Sequence, residues 1–237
     1  MKQEMISLNK WIAEAETKGQ SMDDFLLEYN AAQLECPQQE LLNKMQAMLE
    51  VMEHSVEVGM SGVRSNSGLT GGDAKRLAGA ASNQGFAGLL GEKALDAVIY
   101  ATAVGECNAA MGRIVAAPTA GASGVLPGVF FSLKKHYQLS DECLQRGLVV
   151  AGGIGLVIAD RASLSGAMGG CQAECGSAAA MAAGAAVAML GGSPTQVGTA
   201  VSIVFKHVLG LVCDPVAGLV EVPCIKRNVS CALQALL

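Results

Sequence analysis

Residues 175–190 read CGSAAAMAAGAAVAML, and the fold is decided there. Alanine is the strongest helix former, while strands favour β-branched and aromatic residues, of which this run holds only Val187. The reading is a helix whose Ala and Gly surface lets neighbouring helices come unusually close. No charged residue occurs from Cys175 to Phe205, which raises the question of a membrane. Gly191-Gly192-Ser193-Pro194 interrupts that stretch, leaving Ala178–Leu190 as its apolar block. Its length falls short of the ~20 residues that a bilayer-spanning helix needs. Gly147–Ala159 is too short as well, and Val197–Val212 is broken by Lys206 and His207. Buried core helices are expected, with no membrane association.

Working outward, a helix is expected over 194–211 on one side. On the other, Ser140 is placed to cap Asp141–Ala159, with further helices over Val129–Tyr137 and Leu95–Ala117. The loops between them, Gly59–Gly91, Pro118–Pro127 and Gly166–Gly170, collect Gly, Ser, Thr and Pro. Three amphipathic helices open the chain. Leu8, Trp11 and Ile12 fall at helical spacing before Gly19, and Ser21 with Asp24 makes a capping pair. Pro37 suits the first turn of a third helix, which carries the stripe Leu41, Leu42, Met45, Met48, Leu49 and Met52. Nothing alternates with period two over a convincing length. The fold class is all-α, with an acidic helical arm over 1–60 packed on a helical catalytic domain over 61–237.

Composition excludes several alternatives. Apolar residues make up 51% of the 237 and charged residues 16%, so disorder is ruled out. Glycine is abundant, at 29 residues, without a Gly-X-Y period, which excludes collagen. The net charge of −5 argues against a nucleic-acid binder. Residues 1–60 hold four Lys/Arg against eleven Asp/Glu, and the remainder twelve against ten, so the acidity belongs to the arm. The first thirty residues are charged throughout, without the apolar block of a signal peptide. A cytoplasmic chain is expected, in which the eight cysteines stay reduced.

Chemistry is suggested by three constellations. The first is RSNSGLTGGDAKR, residues 64–76. Ser65, Asn66, Ser67, Gly68, Thr70, Gly71 and Gly72 offer hydroxyls and open backbone N–H groups to a small anion, and Lys75 is the candidate base. The second is APTAGASGVLPG, residues 117–128, where Thr119, Ala120, Gly121, Ser123 and Gly124 could wrap a carboxylate. A pyridoxal-phosphate cup would look similar, with Lys75 as its Schiff-base lysine. The third is the cysteines at backbone irregularities, Cys171, Cys175, Cys213 and Cys224. Their spacing is neither a ferredoxin pattern nor a zinc CxxC pair, and an iron–sulfur cluster is one option among several. Cys36, Cys107, Cys143 and Cys231 sit in ordinary helical contexts and read as inert buried thiols.

The stretches SNSGLTGGDAKR, APTAGASGVLPG, GGCQAECGSAAAMAAG and CDPVAGLVEVPCIKRN occur in this order. Together they resemble the alpha chain of bacterial iron–sulfur-dependent L-serine dehydratases, over nearly the whole chain. The resemblance implies an all-α domain, L-serine as substrate and a [4Fe–4S] cluster on three cysteines. The matching positions are Cys171, Cys213 and Cys224, separated by 42 and then 11 positions, with Cys175 as understudy. It further implies a beta-chain partner, which would supply the general base if Lys75 does not. Alpha chains of this family continue past CIKRN into further helices, whereas this sequence stops at Leu237, and Cys231 stands where the family has glycine. The competing expectations are a truncated, non-catalytic subunit or fragment, a pyridoxal-phosphate lyase, and a small membrane protein.

Overall fold

A computed structural model describes residues 6–81 and 88–237. The first five residues of the arm and residues 82–87 of the Gly59–Gly91 stretch lie outside the described residues. Among the described residues there are helices and no strand. The arm forms α1 (Leu8–Lys18), α2 (Met22–Gln33) and α3 (Gln38–Met60). Then come α4 (Asp73–Ala81), α5 (Glu92–Ala109), a 3-10 turn at Ala120–Ala122, α6 (Val125–Tyr137) and α7 (Asp141–Arg161). The chain ends with α8 (Gly166–Met189), α9 (Pro194–Val208) and α10 (Glu221–Leu236).

The caps explain most starts and stops. Gly19 closes α1 in the left-handed region at φ 66°. The Asp24 N–H donates to Ser21 Oγ at 3.3 Å to open α2, and the Cys143 N–H does the same to Ser140 for α7 at 3.2 Å. A full capping box, Ser193 with Gln196, opens α9 behind Pro194. Each such cap contributes about 1 kcal/mol.

The Ala-rich half of α8 is the axis of the molecule, packed against α6, α7, α9 and α10. From Ala178 to Ala186 every residue is buried. An alanine brings little apolar area, so burial here stabilises mainly through close approach and dense contact. Gly184 shows the limit: a Cβ there would lie 2.3 Å from Ile154 Cδ1 of α7. The arm shares this core, contributing Trp11, Phe25, Leu26 and Met52. Arg146 of α7 pins α2, with Nε 2.7 Å from Asp23 and a second contact to Asp24.

Several boundaries differ from expectation. α5 stops at Ala109 because Met111 turns left-handed at φ 62°, and the Gly112 N–H reaches back to the Cys107 carbonyl at 2.8 Å. That is a Schellman closure, which ends the helix short of the expected Ala117. Pro37 precedes α3 as its cap residue instead of entering its first turn. α6 begins four residues before Val129, since Pro127 falls in the first turn, where no N–H is needed. Gly166–Gly170 is helical up to a break at Gly170. α9 ends at Val208 and buries only one face, through Val197, Val201, Val204 and Val208, so it is less central than its apolar sequence suggests. α10 carries Cys231 in the helical context expected of it, while Cys224, expected at a backbone irregularity, falls with Pro223 in its first turns. α7, at 21 residues, is long and apolar enough to cross a bilayer, but 56% of its most apolar window is buried inside the protein.

Candidate active site

Three segments meet where α8 changes direction. Gly170 breaks the helix at φ 72°, ψ −171°, a conformation open essentially to glycine alone. A Cβ there would lie 2.7 Å from the Leu211 carbonyl oxygen, so only glycine lets the 211–213 segment pass. Beside it the Gln172 N–H donates to that carbonyl, and the Gly210 N–H donates to Gln172 Oε1, both at 2.9 Å. Cys213 is thereby held next to the strand of chain that carries Cys171. After Cys213 the chain reverses through Ala217 and Gly218, both at positive φ, with Val216 and Leu219 exchanging backbone hydrogen bonds at 2.8 and 2.9 Å. This turn delivers Cys224 in the first turns of α10, and Arg227 ties back to Asp214 at 3.2 Å.

The same helix holds both glycine-rich loops. Asn228, buried at 1% exposure, donates through Nδ2 to the carbonyls of Gly121 at 2.6 Å and Cys224 at 2.7 Å. Its Oδ1 accepts from the Gly124 N–H at 2.7 Å. The 119–124 turn is therefore clamped to α10 at both ends. The 64–72 loop is gathered by a carboxylate: Ser67 Oγ donates to Glu221 Oε2 at 2.6 Å and Thr70 Oγ1 does so at 3.5 Å. The hydroxyls of Ser67 and Ser65 hold the Glu221 carboxyl below its ordinary range. At the far end of this loop, buried Glu106 of α5 accepts the N–H groups of Asp73 at 2.6 Å and Ala74 at 3.3 Å, capping α4. Burial raises its pKa against the opposing pull of those N–H groups.

The thiols interact. Cys171, Cys175 and Cys231 are buried, Cys224 is half-buried and Cys213 is exposed. Cys171 is raised first by its hydrogen bond with Cys175 and then by burial. The neighbouring Cys175 thiol lowers Cys231. Cys224 is pushed up to about 12 by burial, then by the charges of Glu174, Cys171 and Cys213. Thiols that oppose one another's ionisation become thiolates once a cationic group offsets the repulsion, as an iron–sulfur core does. In kind, the donor set fits such a cluster. Cys171, Cys213 and Cys224 share one junction, although among the described residues no three His, Cys, Asp or Glu side chains stand at metal-ligating spacing. Cys175 lies one helical turn beyond Cys171 on α8.

Lys75 lies in the first turn of α4. It is exposed, and its Nζ donates to the Ser61 carbonyl at 3.3 Å. The charged groups that act on the thiols of Cys171 and Cys224 include Glu174, Asp214 and Arg227. Asn66 and Gly68 lie on the exposed tip of the first loop, whereas Ser65 is buried beneath it. In the second loop Thr119 donates to Glu174, Ala120 accepts from Asn108 Nδ2 at 3.0 Å, and Ser123 is buried. Gly71 pairs with Arg64 across the first loop, and Gly72 leads into α4. A groove of about 720 Å³ lined by Leu190, Ile203 and Leu236 contains none of these residues.

Sequence reasoning passed over Glu106, Glu174, Glu221, Arg227 and Asn228. Four of the five stand inside stretches quoted for their glycines and cysteines. Glu106 had a signal of its own, a lone carboxylate following Leu95, Val98, Ile99 and Thr102 at helical spacing on an apolar face.

Fold and site define an all-helical protein that brings thiol-bearing segments and two hydroxyl-rich glycine turns to one junction. The chain belongs to the serine dehydratase alpha chain family, whose pattern it matches over residues 3–237. It is 48% identical over 216 residues to the "Probable L-serine dehydratase, alpha chain" of Bacillus subtilis, covering 91% of this chain and 71% of that one. It is 41% identical over 223 residues to the "L-serine dehydratase, alpha chain" of Peptoniphilus asaccharolyticus, covering 92% and 74%. The "L-serine dehydratase" of Streptomyces coelicolor is 51% identical over 138 residues, which are 58% of this chain and 30% of that protein.

Proposed function

We propose that this chain is the alpha component of an L-serine ammonia-lyase, which converts L-serine to pyruvate and ammonia in the cytoplasm together with a beta-type chain. In this reading Cys171, Cys213 and Cys224 hold a [4Fe–4S] cluster. What supports the reading is the meeting of the thiol-bearing segments with both glycine-rich turns at one junction, in a chain that belongs to this family.

Serine presents two difficulties, a hydroxide leaving group and a weakly acidic Cα proton. When bound, the cluster supplies an iron without a protein thiolate, a Lewis acid for the departing β-hydroxyl. The chain's own residues bind and orient. The turn of Thr119, Ala120, Gly121, Ser123 and Gly124 and the loop of Ser65–Gly72 surround the substrate with hydroxyls and N–H groups. Fixing the β-hydroxyl and Cα–H in one geometry supplies several kcal/mol of the barrier reduction. The base comes from the beta-type chain, since Lys75 is engaged with Ser61. Loss of the Cα proton and of water leaves an aminoacrylate, which tautomerises and hydrolyses to pyruvate and ammonia.

The test is anaerobic co-purification with the partner chain. A brown protein with iron and sulfide is expected, whose serine deamination decays in air and returns with ferrous iron and a thiol reductant. Full activity in air, indifferent to an iron chelator and lost in Lys75→Ala, would replace the cluster with a Schiff-base mechanism.

A further inference from the structure

Three polar groups on the segments that meet at the thiol junction have incomplete bonding. Glu174 accepts from the Thr119 hydroxyl, and among the described residues no Lys, Arg or His forms an ion pair with it. Arg227 spends Nη2 on Asp214 at 3.2 Å, while its Nη1 is buried without a partner. Ser123, 1% exposed, has an Oγ that meets no partner.

Their surroundings tie them together. Glu174 and Arg227 both act on the Cys171 thiol, in opposite directions. A Cβ on Gly121 would lie 2.6 Å from Glu174 Oε1, so the second glycine-rich turn lies directly on that carboxylate. Ser123 lies within the same turn, between the two residues that Asn228 grips, and Asn228 follows Arg227 in the chain.

A buried donor left unpaired costs as much as a lost hydrogen bond, and more when charged. What would complete this set is an anion facing Arg227 and Ser123 and a cation facing Glu174. An α-amino acid carries both on one carbon. We infer that Arg227 and Glu174 are the charged ends of an amino-acid subsite, Arg227 Nη1 and Ser123 Oγ donating to the substrate carboxylate and Glu174 receiving its α-ammonium. The inference rests on the serine-dehydratase reading and deepens it. Recognition of charge falls to α8 and α10, and the turns supply neutral hydrogen bonds. Asp214 acts as a positioning residue that holds the guanidinium in place.

Two unreactive fragments of serine separate the ends. 3-Hydroxypropionate has the carboxylate and hydroxyl without the amine, and ethanolamine has the amine and hydroxyl without the carboxylate. Their binding is measured by equilibrium dialysis on the iron-loaded complex with the beta-type chain, with iron content recorded for each variant. Arg227→Gln should weaken 3-hydroxypropionate about tenfold or more and leave ethanolamine unchanged. Glu174→Gln should do the reverse, and Arg227→Lys should keep most 3-hydroxypropionate binding. If Arg227→Gln sheds its iron, Glu174→Gln decides, and unchanged probe selectivity there overturns the inference. An iron-loaded, active wild type that binds neither fragment, or variants that weaken both fragments alike, also overturns it while leaving the reading intact. A wild type that neither holds iron nor deaminates serine overturns the reading, and the inference with it.

Discussion

Asn228 is the residue on which the two halves of the site depend, and Asn228→Ala measures how much. Its side chain makes three hydrogen bonds of 2.6–2.7 Å at 1% exposure. The Cys224 carbonyl lies four residues before Asn228 within α10 and keeps its helical bond after truncation. The Gly121 carbonyl and Gly124 N–H have no such reserve and are left buried without a partner. At about 1–3 kcal/mol for each orphaned group, the loss is roughly 2–4 kcal/mol once some relaxation of the turn is allowed. In a chain of this size that corresponds to a fall in Tm of about 5–15 °C. The assay is thermal and urea unfolding of the full chain, with Asn66→Ala on the exposed tip of the other loop as the control, expected within about 0.5 kcal/mol of wild type. Asn228→Asp sharpens the test. It keeps the Gly124 acceptor but turns an oxygen toward two carbonyls, and burial raises its folded pKa above the unfolded value. Its stability relative to wild type should therefore recover at low pH and be lost as pH rises through that folded pKa. A loss under about 0.5 kcal/mol in Asn228→Ala, or no pH dependence in Asn228→Asp, would refute the clamp.

Gly170→Ala should cost about 1–3 kcal/mol by forcing a Cβ onto the Leu211 carbonyl at positive φ, and should increase the reactivity of the Cys171 thiol toward a maleimide; unchanged stability and labelling would contradict the kink. Burial opposes ionisation of Asp23, but Ser21 and Arg146 outweigh it and hold the carboxyl below its ordinary range. Its contribution is thus present above the unfolded pKa and lost as pH falls through the folded one. Arg146→Met should flatten that acid limb of the stability curve, and an unaltered limb would assign it to other carboxylates. Glu106→Gln replaces an acceptor of two N–H groups by an amide that satisfies only one, so about 1–2 kcal/mol should be lost, with faster limited proteolysis in residues 64–72.

The helices were legible where local chemistry and tertiary packing agree. Ser21, Ser140 and Ser193 sit before apolar periodic runs and cap as their types require. Legibility failed where one residue has two readings. Pro223 is a breaker in mid-helix and harmless in a first turn, and only the partner surface of Ile225, Asn228, Cys231, Ala232 and Ala235 decides which. That pattern has helical spacing and was available in the sequence. For the candidate site, the glycines and cysteines stood out because their types are rare and chemically marked. Asn228 and Glu221 did not, because a side chain that bonds backbone or hydroxyls across more than 100 positions leaves no local trace.

The small-residue core and the thiol junction follow from one another. Packed helix axes ordinarily lie 8–10 Å from each other. The three candidate ligand thiols gather where the chain begins, ends or bends. Cys171 follows the break at Gly170, Cys213 lies in the connection after α9, and Cys224 lies in the first turns of α10. For three such ends to meet, the helices behind them must converge on one axis. A core of Leu and Phe would hold them off, whereas Ala178–Ala186 with Gly184 lets α7 and α9 press against α8. The alanine run contributes little hydrophobic area per residue, and its value lies in the approach it permits. Enlarging it at Gly184 would act on the thiol junction through the helix ends, at a distance from any residue that touches a ligand.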